Sequence, residues 1–189
     1  MSPRAGIDPG AVLQAAVGIA DSEGAEAVTI SSVAQRLGIR PPSLYNHVSG
    51  LEELRGRVAV YALGKLYDTI ARSAEGLTGE GAIRSFADAY IRFVREHPGL
   101  YEVTQWAKDP SNPEIAEASG RIVDFIVALL EGYSLSQEEA LHTVRGLRSL
   151  IHGFASLERQ QGFGLPLDVR ESLQFSLALF LQGLSQRTG

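Results

Sequence analysis

The sequence predicts an all-α protein of about nine helices, and three observations carry that prediction. Apolar residues recur at helical spacing: Val12, Ala15, Ala16, Ile19 and Ala20 follow i, i+3, i+4, i+7 and i+8, which is one buried face. Helix starts are written as capping boxes at Ser49 with Glu52, Ser136 with Glu139, and Asp168 with Glu171. Strand signals are missing, since neither period-two alternation nor an Asn-Gly or Asp-Gly hairpin turn occurs.

The elements follow in order. Asp8 caps the first helix, Pro9 takes its first position and Gly24 ends it. Thr29 caps a short second helix that Gly38 stops. A third short helix starts at Pro41-Pro42 and runs to about Val48. The fourth covers roughly 50–74, with Leu54, Val58, Tyr61, Ala62 and Leu66 on its apolar face. Ile83, Phe86, Ala87, Tyr90, Ile91 and Val94 mark a fifth, stopped by Pro98. Leu100 to Trp106 forms a short sixth segment, and Asp109 to Pro113 is a loop by composition. The seventh runs roughly from Glu114 to Tyr133, and the eighth from Ser136 to about Gln161. Gly162 to Pro166 breaks the chain, and Asp168 opens the last helix, to about Gln186.

Composition narrows the function. The 189 residues are 44% hydrophobic and 21% charged, a globular balance. Cysteine is absent, which excludes disulfide frameworks, thiolate metal sites and cysteine nucleophiles. The four histidines, at 47, 97, 142 and 152, do not cluster, and the last two are about 15 Å apart along one helix. No Gly-x-Ser-x-Gly, phosphate-cradling loop or His-Glu-x-x-His occurs, so no enzyme, metal or cofactor is expected. No apolar run approaches the ~20 residues of a membrane span, and the first residues lack a signal-peptide core. A cytoplasmic protein without a membrane partner is expected.

The net charge of −5 argues at first against nucleic acid. By segment it does not. Residues 29–48 hold Arg36 and Arg40 and no acidic group. That stretch reads as two short helices around the tight turn Gly38-Ile39-Arg40, with Ala34 small at the crossing and Val33, Leu37, Ile39 and Leu44 as a local core. This is the helix-turn-helix layout, whose second helix enters the major groove. Its outer residues are hydroxyls, an amide, an imidazole, a phenol and Arg40, groups that meet phosphates and base edges.

The order Thr29, Val33-Ala34, Leu37-Gly38, Leu44-Tyr45-Asn46-His47-Val48, Glu52-Glu53-Leu54 resembles the DNA-binding domain of the TetR family of transcriptional regulators, over about residues 8–57. The resemblance implies a helix-turn-helix domain at 1–57 and a regulatory, ligand-binding and dimerisation domain at 58–189. It implies DNA contacts from Thr29, Ser31 and Ser32 at the first motif helix. Pro41, Pro42 and Ser43 fall at the start of the recognition helix, with Arg40 just before it. Tyr45 and His47 match family positions that touch the backbone or brace the motif, and Asn46 faces outward. Two departures weaken the grip. Leu51 stands where the family often carries a phosphate-contacting Lys, and Pro41-Pro42 removes two N–H donors. Arg36, Arg40, Arg55 or Arg57 would have to compensate.

In the larger part, Gly146, Ser149, Gly153 and Ser156 line one face of the eighth helix and permit close helix approach. Leu173, Leu177, Phe180 and Leu184 lie on an apolar stripe of the ninth, wide enough to be buried on two sides. Gly146, Gly153, Ser156 and those four are the expected homodimer interface. The segment Leu147 to Glu158 resembles one TetR branch named for a Trp-His-Gly signature, with Ile151 where the Trp usually stands. Tyr90, Phe93, Trp106, Phe125, Arg145, Ser149 and His152 are the candidate ligand-binding residues. The expected function is a homodimeric regulator that binds a double-stranded DNA operator, a repressor released by a small-molecule effector. The competing expectation is a helical ligand-binding or protein-interaction module whose motif is vestigial.

Overall fold

The computed structural model describes residues 8–106 and 112–187. Nine α-helices run among them: α1 (Pro9–Glu23), α2 (Ile30–Arg36), α3 (Pro41–Leu44), α4 (Leu51–Ser73), α5 (Gly79–Glu96), α6 (Pro98–Thr104), α7 (Pro113–Leu129), α8 (Gln137–Arg159) and α9 (Val169–Arg187). Single 3-10 turns at Ala25–Ala27 and Glu131–Tyr133 complete the order. No strand occurs among the described residues.

The helix ends follow their local chemistry. Asp8 accepts the Gly10 N–H at 3.1 Å, and Pro9 opens α1. Gly24 ends it at φ +94°, a backbone that costs a Cβ-bearing residue free energy. Ser136 and Glu139 bond reciprocally at the start of α8. Asp168 accepts the Glu171 N–H at 2.8 Å before α9.

Two sequence expectations change. The third helix ends at Leu44, and only single-turn bonds (His47 N–H and Val48 N–H to the Leu44 carbonyl) carry the chain to Val48. The cap of α4 uses Glu53, whose Oε2 accepts the Ser49 N–H at 2.6 Å, and not Glu52. Because α4 begins at Leu51, Glu53 is its third residue and can reach back; Glu52 is one position too early. Residues 109–111 of the expected loop at Asp109 to Pro113 lie outside the described residues, while Asn112 caps α7 by accepting the N–H of Glu114 at 3.0 Å and of Ile115 at 3.3 Å.

The chain packs as two compact units, grouped otherwise than by a cut at 57. The first comprises Met1–Lys65 with His97–Ala118, the second Leu66–Glu96 with Ser119–Gly189. In the first, α1 packs on α2 and α6, and Val12, Ala16, Ile19, Val28, Val33, Leu44, Leu54 and Leu100 are buried. In the second, α5 packs on α8 and α9. Leu173, Leu177 and Leu184 are at most 9% exposed within this one chain, so they are intrachain core rather than dimer surface. The outward face of α9 instead carries Phe175 and Leu179, 67% and 56% exposed.

Candidate nucleic-acid interface

The motif is assembled from hydrogen bonds that its own residue types supply. Thr29 is the N-cap of α2: its Oγ1 accepts the Ser32 N–H at 3.0 Å, and its own N–H donates to Ser32 Oγ at 3.0 Å. Ser32 Oγ donates to the Ala27 carbonyl at 2.7 Å. The hydroxyl of Ser32 is thereby spent inside the fold, whereas Ser31 beside it is exposed. Gly38, at φ +67°, turns the chain out of α2, and the Ile39 N–H returns to the Ala34 carbonyl at 3.0 Å. Val33, Ala34 and Leu44 are fully buried beneath the crossing, with Val48 at 2% exposure.

Arg40 is the N-cap of α3, with no side-chain capping bond, and Pro41 and Pro42 fill the first positions. The missing N–H groups there are ones that no helix bond would use. Arg40, Pro41, Pro42, Ser43, Tyr45 and Asn46 are all exposed, and His47 is half-buried. Tyr45 leaves 57% of its surface to solvent, a large cost for an aromatic ring with no role in the core. These residues form one continuous outward surface.

The arginines expected to compensate for Leu51 divide sharply. Arg36 bonds Glu23 at 2.5 Å, Arg57 bonds Glu53, and Arg55 reaches Glu26 at 3.4 Å. Among the described residues up to 57, Arg40 alone of the arginines has no carboxylate partner. Hydrogen bonds from Ser49, with Arg57 alongside, hold the Glu53 carboxyl below its ordinary value, so it stays ionised. The exposed cationic character of the motif is concentrated at Arg40.

The other expected site residues are scattered. Tyr90 and Phe125 each meet Phe86 edge-on, with ring centroids 6.1 and 6.4 Å apart, and Tyr67 meets Phe125 at 6.0 Å. This is an aromatic core of the second unit. Phe93 is 1% exposed on the same helix as Tyr90. Arg145 and Ser149 are exposed on α8, and His152 is half-buried. Trp106 belongs to the first unit, under the Arg55 guanidinium. Of the expected dimer residues, Gly146 is close to Phe180, since a Cβ there would lie 3.0 Å from the ring, and Gly153 and Ser156 are half-buried. Sequence reasoning did not pair Arg55 with Trp106, and only their side-chain chemistry hinted at it.

A helix-turn-helix with an acid-free outer surface, on an otherwise all-helical chain, is the architecture of a DNA-binding transcriptional regulator. Residues 83–180 match the family model described as the tetracyclin repressor-like C-terminal domain. The chain is 41% identical, over 97% of its length and 96% of the other's, to the HTH-type transcriptional regulator YobS of Bacillus subtilis (strain 168). Its fold superimposes on a protein from Rhodococcus sp. RHA1 with a TM-score of 0.82 at 18% identity, covering 98% of this chain and 100% of that one. It superimposes on the TetR family transcriptional regulator PfmR of Thermus thermophilus with a TM-score of 0.65 at 21% identity, covering 90% and 97%. The chain belongs to the TetR family of transcriptional regulators.

Proposed function

We propose that the protein is a homodimeric repressor that binds an operator through residues 29–48 and leaves it when a small molecule binds. The observation that carries this reading is the exposed, unpaired Arg40 beside Ser43, Tyr45 and Asn46, on a stretch without a single acidic side chain. Thr29 and Ser31 flank that surface at the start of α2, and His47 braces its far end. The functional division is taken at 57, with the reading head before it and the regulatory domain after it.

Two reading heads of a dimer must stand about 34–36 Å apart to reach successive major grooves. An effector that prefers a different spacing weakens DNA binding by the coupling free energy with which DNA weakens the effector. With few free cations on the surface, non-specific attraction to phosphate is small, and affinity rests on a few contacts. A gel shift of the purified protein against the DNA upstream of its own gene tests the reading. Salt-sensitive, sequence-selective retardation is expected. Equal affinity for unrelated DNA, or none for either, would favour the helical ligand-binding or protein-interaction module instead.

A further inference from the structure

A cavity of about 540 Å³ opens in the first unit, where the starts of α4 and α7 meet the end of α6. That volume suits a small organic ligand. Its walls combine an aromatic platform, an apolar side and a surplus of unspent donors. The Arg55 guanidinium lies 4.7 Å over the Trp106 ring centroid. Its Nη2 reaches Glu26 only at 3.4 Å, and that carboxylate is 81% exposed. Its Nε is buried without a hydrogen-bond partner, alone among the buried side-chain nitrogen and oxygen atoms of the described residues. A buried donor left unmade is costly, so the stack of Arg55 on Trp106 is short of an acceptor.

The neighbours add donors in the same place. Asn112 spends its Oδ1 on the Glu114 and Ile115 N–H groups, which leaves its amide nitrogen to donate. That Nδ2 stands 3.7 Å from where a Cβ on Gly56 would lie, on the cavity wall. Gln105 gives an amide hydrogen to Thr104 Oγ1 at 2.9 Å and has a second to offer. Ile115 supplies the apolar side; of the two carboxylates on the wall, Glu52 is exposed at the rim, where water screens its charge, and Glu53 is already bonded to the Ser49 N–H and to Arg57.

We infer that this cavity is a binding site for a small planar acid, its ring against Trp106 and Ile115 and its carboxylate taken by Arg55 and Asn112. The site deepens the effector reading above and rests on that reading only for its consequence on DNA. Residues of α4 line it, together with Gln105 and Trp106 just after α6, and α6 packs on α1, which in turn packs on α2. An occupant therefore touches α4, which follows the motif, and the turn that ends α6.

Trp106 is the only tryptophan of the chain, so its fluorescence reports the cavity directly. The full-length protein is titrated with benzoate, benzyl alcohol and benzylammonium, without DNA. Saturable change with benzoate is expected, with the other two at least tenfold weaker. Arg55→Met keeps the stem and removes the donors, and Asn112→Asp keeps the α7 cap while removing its donor. Each should weaken benzoate at least tenfold. If Arg55→Met does not fold, Asn112→Asp decides. No saturable change with benzoate, tighter binding of benzylammonium, or a folded variant that binds benzoate as the wild type does would overturn the assignment. Because no DNA is present, failure of this site and failure of operator binding are read separately.

Discussion

Gly99 lies against Ala20 so closely that a Cβ at residue 99 would sit 1.8 Å from the Ala20 carbonyl oxygen. The obstacle is backbone, which cannot swing aside as a side-chain tip can. A second tie runs beside it, where His97 Nδ1 stands 2.8 Å from Asp21 Oδ2. The start of α6 is thus seated directly on the end of α1. Gly99→Ala must push the two helices apart. The expected cost is about 3 kcal/mol, at the upper end of ordinary overpacking. For a chain of this size that lowers the melting temperature by roughly 6–12 °C. Thermal unfolding followed by circular dichroism checks it, and an unchanged midpoint would mean that α6 does not bear on α1 in solution.

The Thr29 cap gives a graded prediction. Thr29→Ala removes the acceptor of the Ser32 N–H and should cost about 1 kcal/mol. Thr29→Ser keeps the oxygen and should recover most of that. Urea unfolding of the three proteins measures it. Operator affinity should fall for Thr29→Ala by more than its stability loss if the hydroxyl also meets a phosphate.

Arg40 and Arg36 make a matched pair for salt dependence. Arg40 is unpaired, whereas Arg36 is held by Glu23. A side chain that neutralises one phosphate contributes close to one unit to the slope of log affinity against log salt. Arg40→Ala should flatten that slope by about 1, and Arg36→Ala by clearly less. Fluorescence anisotropy with a labelled operator between roughly 50 and 200 mM salt resolves the two. Equal effects would mean that the Glu23 pair opens on DNA.

The motif was legible in the sequence because its information is local. Thr29, Gly38 and the Pro41-Pro42 pair each act within a few residues of themselves, and hydrophobic spacing marked Val33, Ala34 and Leu44 as core. The capping box at Ser136 was legible for the same reason. What local pattern cannot carry is which distant partner a side chain finds. The stripe Leu173, Leu177, Leu184 announced burial, but nothing in its spacing says whether α5 and α8 of the same chain or a second chain covers it. Arg36 and Arg55 read as free cations because Glu23 and Glu26 come near them only on folding, whereas Glu53 lies four residues before Arg57 on the same helix, a spacing the sequence does show. Ser49 paired with Glu53 rather than Glu52 because a helix that starts one residue later moves its third position by one.

His152 sets a pH dependence. Burial, with the charges of Arg148 and Arg159 nearby, holds its imidazole below the ordinary value of 6.5. The unfolded chain therefore binds that proton more readily than the folded one. Stability from this group is whole above pH 6.5 and is lost as the pH falls below it toward the folded-state value. His152→Gln should remove that part of the slope. Urea midpoints at pH 7.5 and 5.5, compared at constant m-value, test it. A variant that loses as much stability as the wild type between those two values would assign the slope to other groups.

The two faces of α9 separate folding from assembly. Leu177 is fully buried, so Leu177→Lys places an unpaired charge in the second unit's core, and the protein should not fold. Phe175 and Leu179 lie one helical turn apart and are exposed in the single chain. Monomeric proteins seldom leave such a pair to water, and a second copy is the partner that the repressor reading supplies. Leu179→Lys should therefore keep the helical circular dichroism spectrum while raising the dimer dissociation constant at least tenfold. Light scattering coupled to size exclusion reads the mass directly. A Leu179→Lys protein that stays dimeric at low micromolar concentration would move the interface off this face of α9. One that loses its helicity would place Leu179 in the core, against its exposure.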